Sequence, residues 1–122
     1  MKAKVLLVDD SGLARRSVRQ MLESDGYDVV EAEDGMAALE RYFLEKPDIV
    51  LLDLVMKGMM GMDVLEKLRE MDPQVRAIVV SADIQASSRA MAEAGGACNF
   101  LNKPVDRAAL LTAITGALEA KS

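Results

Sequence analysis

The chain is 122 residues long, 51% hydrophobic and 29% charged, which suits one ordinary core and requires neither a disulfide framework nor a structural metal. Its 15 basic and 20 acidic residues leave a net charge of −5, and Arg15, Arg16 and Arg19 are too short a group to form a nucleic-acid-binding tract. There is no histidine, so His-liganded zinc, Ser-His-Asp and Cys-His catalysis are excluded, and the lone Cys98 fits a reducing, cytoplasmic setting.

Apolar runs alternate with helical patterns along the chain. The first run, Val5–Val8, is far too short to span a membrane, and no secretory pattern follows Lys2 and Lys4. Ala14, Val18, Met21 and Leu22 then share one face of a helix that stops before Gly26. The second run, Tyr27–Ala32, carries more charge and reads as an edge strand. Asp34 caps a helix whose apolar face is expected to be Met36, Leu39 and Phe43, ending before Pro47. The third run is Ile49–Leu52, followed by a helix through Met62, Leu65, Leu68 and Met71 that Asp72-Pro73 stops. Glu66, Lys67, Arg69 and Glu70 read as its solvated face. Ala77–Val80 is the fourth run, and Ala90, Met91 and Ala94 mark a weaker helix closed by Gly95-Gly96. Cys98, read as a small buried residue, leads into the fifth run, Asn99–Leu101. The last helix, capped by Asp106, carries Leu110, Ile114, Ala117 and Leu118 inward.

Five β–α units imply right-handed crossovers, hence an α/β fold with a parallel, doubly wound sheet in a single domain over residues 1–122. In such a sheet the carboxyl ends of the strands line one crevice. Asp9 and Asp10 follow the first run, Asp53 the third, Ser81 the fourth and Lys103 the fifth. Any one of these alone is an ordinary turn or cap residue. Together they bring three carboxylates, a hydroxyl and an ammonium to one rim. Clustered carboxylates repel unless a cation sits among them, and an all-oxygen set with room for water suits Mg²⁺. With a lysine to hold phosphate, the set describes phosphoryl transfer onto a carboxylate nucleophile.

The motifs Val5-Leu6-Leu7-Val8-Asp9-Asp10-Ser11, Asp53-Leu54-Val55-Met56, Val79-Val80-Ser81-Ala82 and Lys103-Pro104 make the chain resemble a response-regulator receiver domain over nearly its whole length. The resemblance implies the flavodoxin-like strand order 2-1-3-4-5, with five flanking helices. It also implies that Asp53 accepts the phosphoryl group and that Asp10, Asp53 and the Val55 carbonyl ligate Mg²⁺, with Asp9 ligating in part or positioning water. Ser81 would bond a phosphoryl oxygen, Ala82 would leave it space, Lys103 would pair with it, and Lys103-Pro104 would be cis. Phe100 stands where the family keeps a switch aromatic, expected to turn inward on phosphorylation together with movement of Ser81. The resemblance also implies that Val55 and Asp83 influence the access of attacking water. Two departures stand out. Lys57 replaces the Pro that many receivers place four residues after the acceptor, which should loosen the loop after Met56 and add positive charge, and Val105 replaces a common Phe.

The resemblance further implies a sensor histidine kinase or histidine phosphotransfer protein as donor and a protein target on the fourth helix, fifth strand and fifth helix, roughly residues 84–120. A partner phosphatase would assist resetting, and neither nucleic acid nor membrane is contacted. If the chain is complete, output must be protein–protein contact; if it is excised, a DNA-binding or catalytic domain could follow. A haloacid-dehalogenase-type phosphatase would need a second Asp where Val55 stands, and neither G-x-G-x-x-G nor G-x-x-x-x-G-K-[ST] supports a nucleotide or flavin fold. A scaffold with a vestigial site fits poorly with a complete residue set. The methionines Met56, Met59, Met60 and Met62 read as gap-filling core ahead of an adaptable surface.

Overall fold

The computed structural model describes residues 3–82 and 86–119. Five strands, β1 (Lys4–Val8), β2 (Asp28–Ala32), β3 (Ile49–Asp53), β4 (Ala77–Ser81) and β5 (Asn99–Asn102), pair in parallel in the order β2-β1-β3-β4-β5. They alternate with α1 (Gly12–Ser24), α2 (Gly35–Glu45), α3 (Gly61–Met71), α4 (Ala86–Ala94) and α5 (Arg107–Glu119). The expected order and element count hold, and the charged second run does lie at an edge. No helix among the described residues is long and apolar enough to cross a membrane.

Strand side chains alternate between faces, and the sheet accordingly divides two cores. Leu6, Val8, Val50 and Leu52 pack with Ala38, Val64, Leu65, Leu68, Ala92 and Phe100 under α2, α3 and α4. Val5, Leu7, Ile49 and Leu51 pack with Leu22, Leu110, Ile114 and Ala117 under α1 and α5. The near-continuous apolar runs of β1, β3 and β4 follow from burial on both faces.

Caps fix the helix starts. Ser11 Oγ accepts from the Ala14 amide at 3.2 Å, Asp34 Oδ1 from Ala37 at 2.8 Å and Asp106 Oδ2 from Ala109 at 2.9 Å. Two helix faces differ from the sequence expectation. On α2, Met36 and Phe43 are 68% and 70% exposed, and the buried positions are Gly35 and Ala38. A Cβ at Gly35 would stand 2.8 Å from Met59 Cβ and 2.9 Å from Val64 Cγ2, so α2 approaches its neighbours through small residues that a search for large apolar side chains overlooks. On α4, Ala90, Met91 and Ala94 face outward, and Ala92 is fully buried. With so many small residues, the α4 pattern did not distinguish one face from another. Cys98 is exposed, not buried. It sits where the chain leaves Gly96 for β5, outside both cores.

Candidate functional site

The rim forms because the parallel register aligns the strand ends. Val8 is level with Leu52, Asp53 with Val80 and Ser81 with Asn102, so the residues at and just beyond those ends converge. Lys103 Nζ lies 2.9 Å from Asp9 Oδ2 and 3.3 Å from Asp53 Oδ2. Asp9, Asp10 and Asp53 each offer a carboxylate oxygen within 4.8 Å of the others. Asp9 and Asp53 are only 5% and 6% exposed, while Asp10 faces solvent. Each acid is aimed by a backbone amide: Ser11 N donates to Asp9 Oδ1 at 2.9 Å, Lys57 N to Asp10 Oδ2 at 3.1 Å and Val55 N to Asp53 Oδ1 at 3.3 Å.

Three carboxylates against one ammonium leave two negative charges in excess in this pocket with all acids ionised. Burial pushes the Asp53 carboxyl above its ordinary range, the Asp9 charge adds to that, and Lys103 offsets it only in part. Burial opposes the Lys103 charge, but the bond to Asp9 and the negative field of Asp53 and Asp9 outweigh it and raise the ammonium's pKa. The donor set is all oxygen and short of two positive charges, which fits a hard divalent cation such as Mg²⁺. Asp9, Asp10 and Asp53 are the residues placed to hold it.

The other expected residues fall around this cluster. Ser81 is fully buried at the end of β4, and Ala82 beside it is exposed. Lys103-Pro104 is cis. Val55 is 59% exposed next to the Asp53 carboxylate, Met56 is buried, and the Lys57 side chain points to solvent while its amide serves Asp10. Met59 and Met62 pack against the core and Met60 is exposed, so gap-filling holds for most of this loop. Phe100 is already buried, 5% exposed, with the Arg89 guanidinium 5.1 Å from its ring centroid. In this structure the ring thus already lies inward. Asp83 lies outside the described residues. Beside the cluster, a cleft of about 570 Å³ runs between α1 and the segment after β5, with Val18, Met21, Pro104 and Val105 on its walls.

Two features had no counterpart in the sequence reading. Gly61 N donates to the Leu54 carbonyl at 2.9 Å, and a Cβ there would overlap the Asp53 carbonyl oxygen and stand 2.7 Å from Leu54 Cα. The start of α3 thus presses on the end of β3 itself. Arg15, counted only as part of a weak basic group, donates from Nη1 to the Asp9 carbonyl at 2.6 Å and from Nε to Glu31 Oε1 at 2.8 Å. The available signal was the i, i+4 spacing of Arg15 and Arg19 beside an acidic edge strand.

Comparison with known proteins matches residues 5–115 to the family described as the response regulator receiver domain. The chemotaxis protein CheY of Bacillus subtilis (strain 168) is 36% identical over 119 residues, covering 97% of this chain and 99% of that protein. A CheY-like receiver domain protein from Methanospirillum hungatei JF-1 superposes with a TM-score of 0.91 at 28% identity, over 98% of this chain and 96% of the other. The CheX–CheY–BeF₃–Mg²⁺ complex from Borrelia burgdorferi gives a TM-score of 0.89 at 32% identity, over 93% of this chain and 87% of the matched one.

Proposed function

The chain belongs to the response regulator receiver family, whose members work in two-component, phosphorylation-based signalling, and from that premise we propose that Asp53 is its phosphoacceptor. The observation that carries this is the position of Asp53. It is the buried acid at the end of the central strand β3, paired with Lys103 and flanked by Asp9 and Asp10. An Asp53 carboxylate oxygen attacks the phosphorus of a phosphohistidine on a sensor kinase or phosphotransfer protein. The P–N bond breaks as the P–O bond forms, and the imidazole leaves with the electron pair.

Receiver domains bind Mg²⁺ at an acidic site, and here Asp9, Asp10, Asp53 and the Val55 carbonyl are the groups for it. When bound, Mg²⁺ supplies positive charge against the transferring phosphoryl oxygens. Lys103 contributes a second positive charge within reach of the Asp53 carboxylate. Burial of Asp53 keeps its carboxylate poorly hydrated, so charge developing beside it is met by fixed groups. Ser81 hydrogen-bonds a phosphoryl oxygen, and Ala82 leaves it room. Asp83 and Val55 border the path of the water that later hydrolyses the acyl phosphate, so the chain assists both its phosphorylation and its reset.

Output is a shift between two states of the surface formed by α4, β5 and α5, read by a protein target without nucleic acid or membrane. Ser81 and Phe100 are the switch in this reading, and the Arg89 guanidinium over the Phe100 ring supports a change in what covers it. The receiver domain acts in the cytoplasm. The alternative of a small phosphatase with an Asp nucleophile finds no second acid at position 55.

Acetyl phosphate with Mg²⁺ should add one phosphoryl mass, which Asp53→Asn or EDTA abolishes. Labelling that survives Asp53→Asn would refute the assignment. Beryllofluoride should shift amide resonances across α4, β5 and α5, and shifts confined to the loops around Asp53 would refute the output surface.

A further inference from the structure

The exposed acid of the cluster, Asp10, poses a problem that burial cannot solve. Asp9 is held by its surroundings: its amide donates to the Ala32 carbonyl at 3.2 Å, and its carboxylate accepts from Ser11 N and Lys103. Asp10 is solvent-facing, and its carboxylate accepts from the amide of Lys57 in an exposed loop. Its aim therefore depends on the peptide that precedes it. That peptide is planar, so whatever fixes the Asp9 carbonyl also fixes the Asp10 nitrogen and the plane from which its side chain departs.

The Asp9 carbonyl is fixed by Arg15. Its guanidinium reaches across from α1 and donates at 2.6 Å, and the same group pairs with Glu31 on β2 at 2.8 Å. Glu31 also accepts from Arg19 at 2.5 Å, and Arg19 in turn holds Glu23 at 3.0 Å. The Arg15 side chain is 17% exposed and that of Glu31 29%, so the bridge is partly shielded from solvent. The bond from Arg19, reinforced by Arg15, holds Glu31 below the usual carboxylate range and keeps it charged as an anchor. A lysine could supply the charge, but not one donor for the carbonyl and another for the carboxylate in a single plane.

We propose that Arg15, anchored by Glu31, is a positioning residue that sets the Asp9–Asp10 peptide and thereby the affinity of the acidic cluster for Mg²⁺. The inference rests on the phosphoacceptor reading and assigns it a residue outside the acid, hydroxyl and lysine set. Groups that orient metal ligands at one remove typically change metal affinity by about 10–100-fold when lost.

The test is Mg²⁺ titration of the intact chain, followed through the amide resonances of Asp10 and Lys57 and by calorimetry. Arg15→Gln and Arg15→Lys should each weaken Mg²⁺ binding about tenfold or more and move the Asp10 amide resonance before metal is added. Arg16→Gln, which removes the same charge from an exposed neighbour, should bind as wild type. Glu31→Ala should weaken binding in the same direction, and combined with Arg15→Gln it should add less than the sum. A structural role alone would lower the thermal midpoint without separating Arg15→Lys from wild type in metal affinity. Should Arg15→Gln not fold, Arg15→Lys carries the test. Wild-type Mg²⁺ affinity in the Arg15 variants, or tighter binding in Arg15→Gln with none lost in Arg15→Lys, would overturn the inference alone. A wild-type chain that takes up no Mg²⁺ would overturn the metal site as well.

Discussion

Asp53→Asn should make the metal-free protein more stable at neutral pH. The ion pair with Lys103 at 3.3 Å is worth about 5 kcal/mol at an effective dielectric of ~20, and repulsion from Asp9, whose carboxylate lies within 4.8 Å, costs at least roughly 3.5 kcal/mol on the same scale. Asp10, also within 4.8 Å, faces water, where such a separation costs only about 1 kcal/mol. These contributions nearly cancel, so the cost of burying the charge decides the sign. Neutralising the group at constant shape should stabilise by about 1–2 kcal/mol, or roughly 4–8 °C in midpoint for a chain of this size. Circular dichroism melts in EDTA would measure it. The advantage should shrink in acid. The folded carboxyl has its pKa raised from 3.8, so wild type regains stability as pH falls through the folded value toward the unfolded one, and the two melts converge there. Mg²⁺ at tenfold over its Kd should raise wild type by about 1.4 kcal/mol and the variant by less. An Asp53→Asn protein no more stable than wild type in EDTA, or a gap that widens in acid, would refute the reasoning.

Lys103→Gln should lower the midpoint in EDTA by the equivalent of about 1–3 kcal/mol, the partial exposure of the lysine holding the figure down, and Mg²⁺ should restore part of it. Gly61→Ala, forced against the Asp53 carbonyl and Leu54, should cost about 2–3 kcal/mol and slow labelling by acetyl phosphate as the acceptor strand shifts. Val55→Asn should speed loss of the acyl phosphate severalfold by offering attacking water a hydrogen bond that valine cannot, measured as the decay of phosphorylated mass after the donor is removed. Phe100→Ala should cost about 3–4 kcal/mol in chemical denaturation, as expected of a ring sealed in the core under Arg89.

The strands were legible because both faces of a central parallel strand are covered, and the run of apolar residues records that directly. The rim residues were legible for a related reason. Asp9, Asp53, Ser81 and Lys103 each interrupt or follow such a run, and parallel pairing turns a shared position in sequence into a shared position in space. Helix faces were less so. Met36 and Phe43 look like core and lie outside, because α2 meets its neighbours through Gly35 and Ala38 and close approach leaves no room for larger side chains. Arg15 escaped notice because its partners are a main-chain carbonyl and a carboxylate on another element. Neither has a spacing that can be read along the chain.

The contact between Gly61 and Leu54 joins the two ends of the loop that carries Val55, Met56, Lys57 and Met60. That loop leaves the acceptor strand and comes back to the same point, as a handle is fixed to a door at both ends. Its interior can be exchanged, lengthened or recharged while Asp53 stays in register with β4. A lysine can thus stand at position 57, where many receivers use proline, with the fold of the strand untouched. The exposed side chains of that loop can therefore change under selection while its backbone still serves Asp10 and the end of β3 keeps its place.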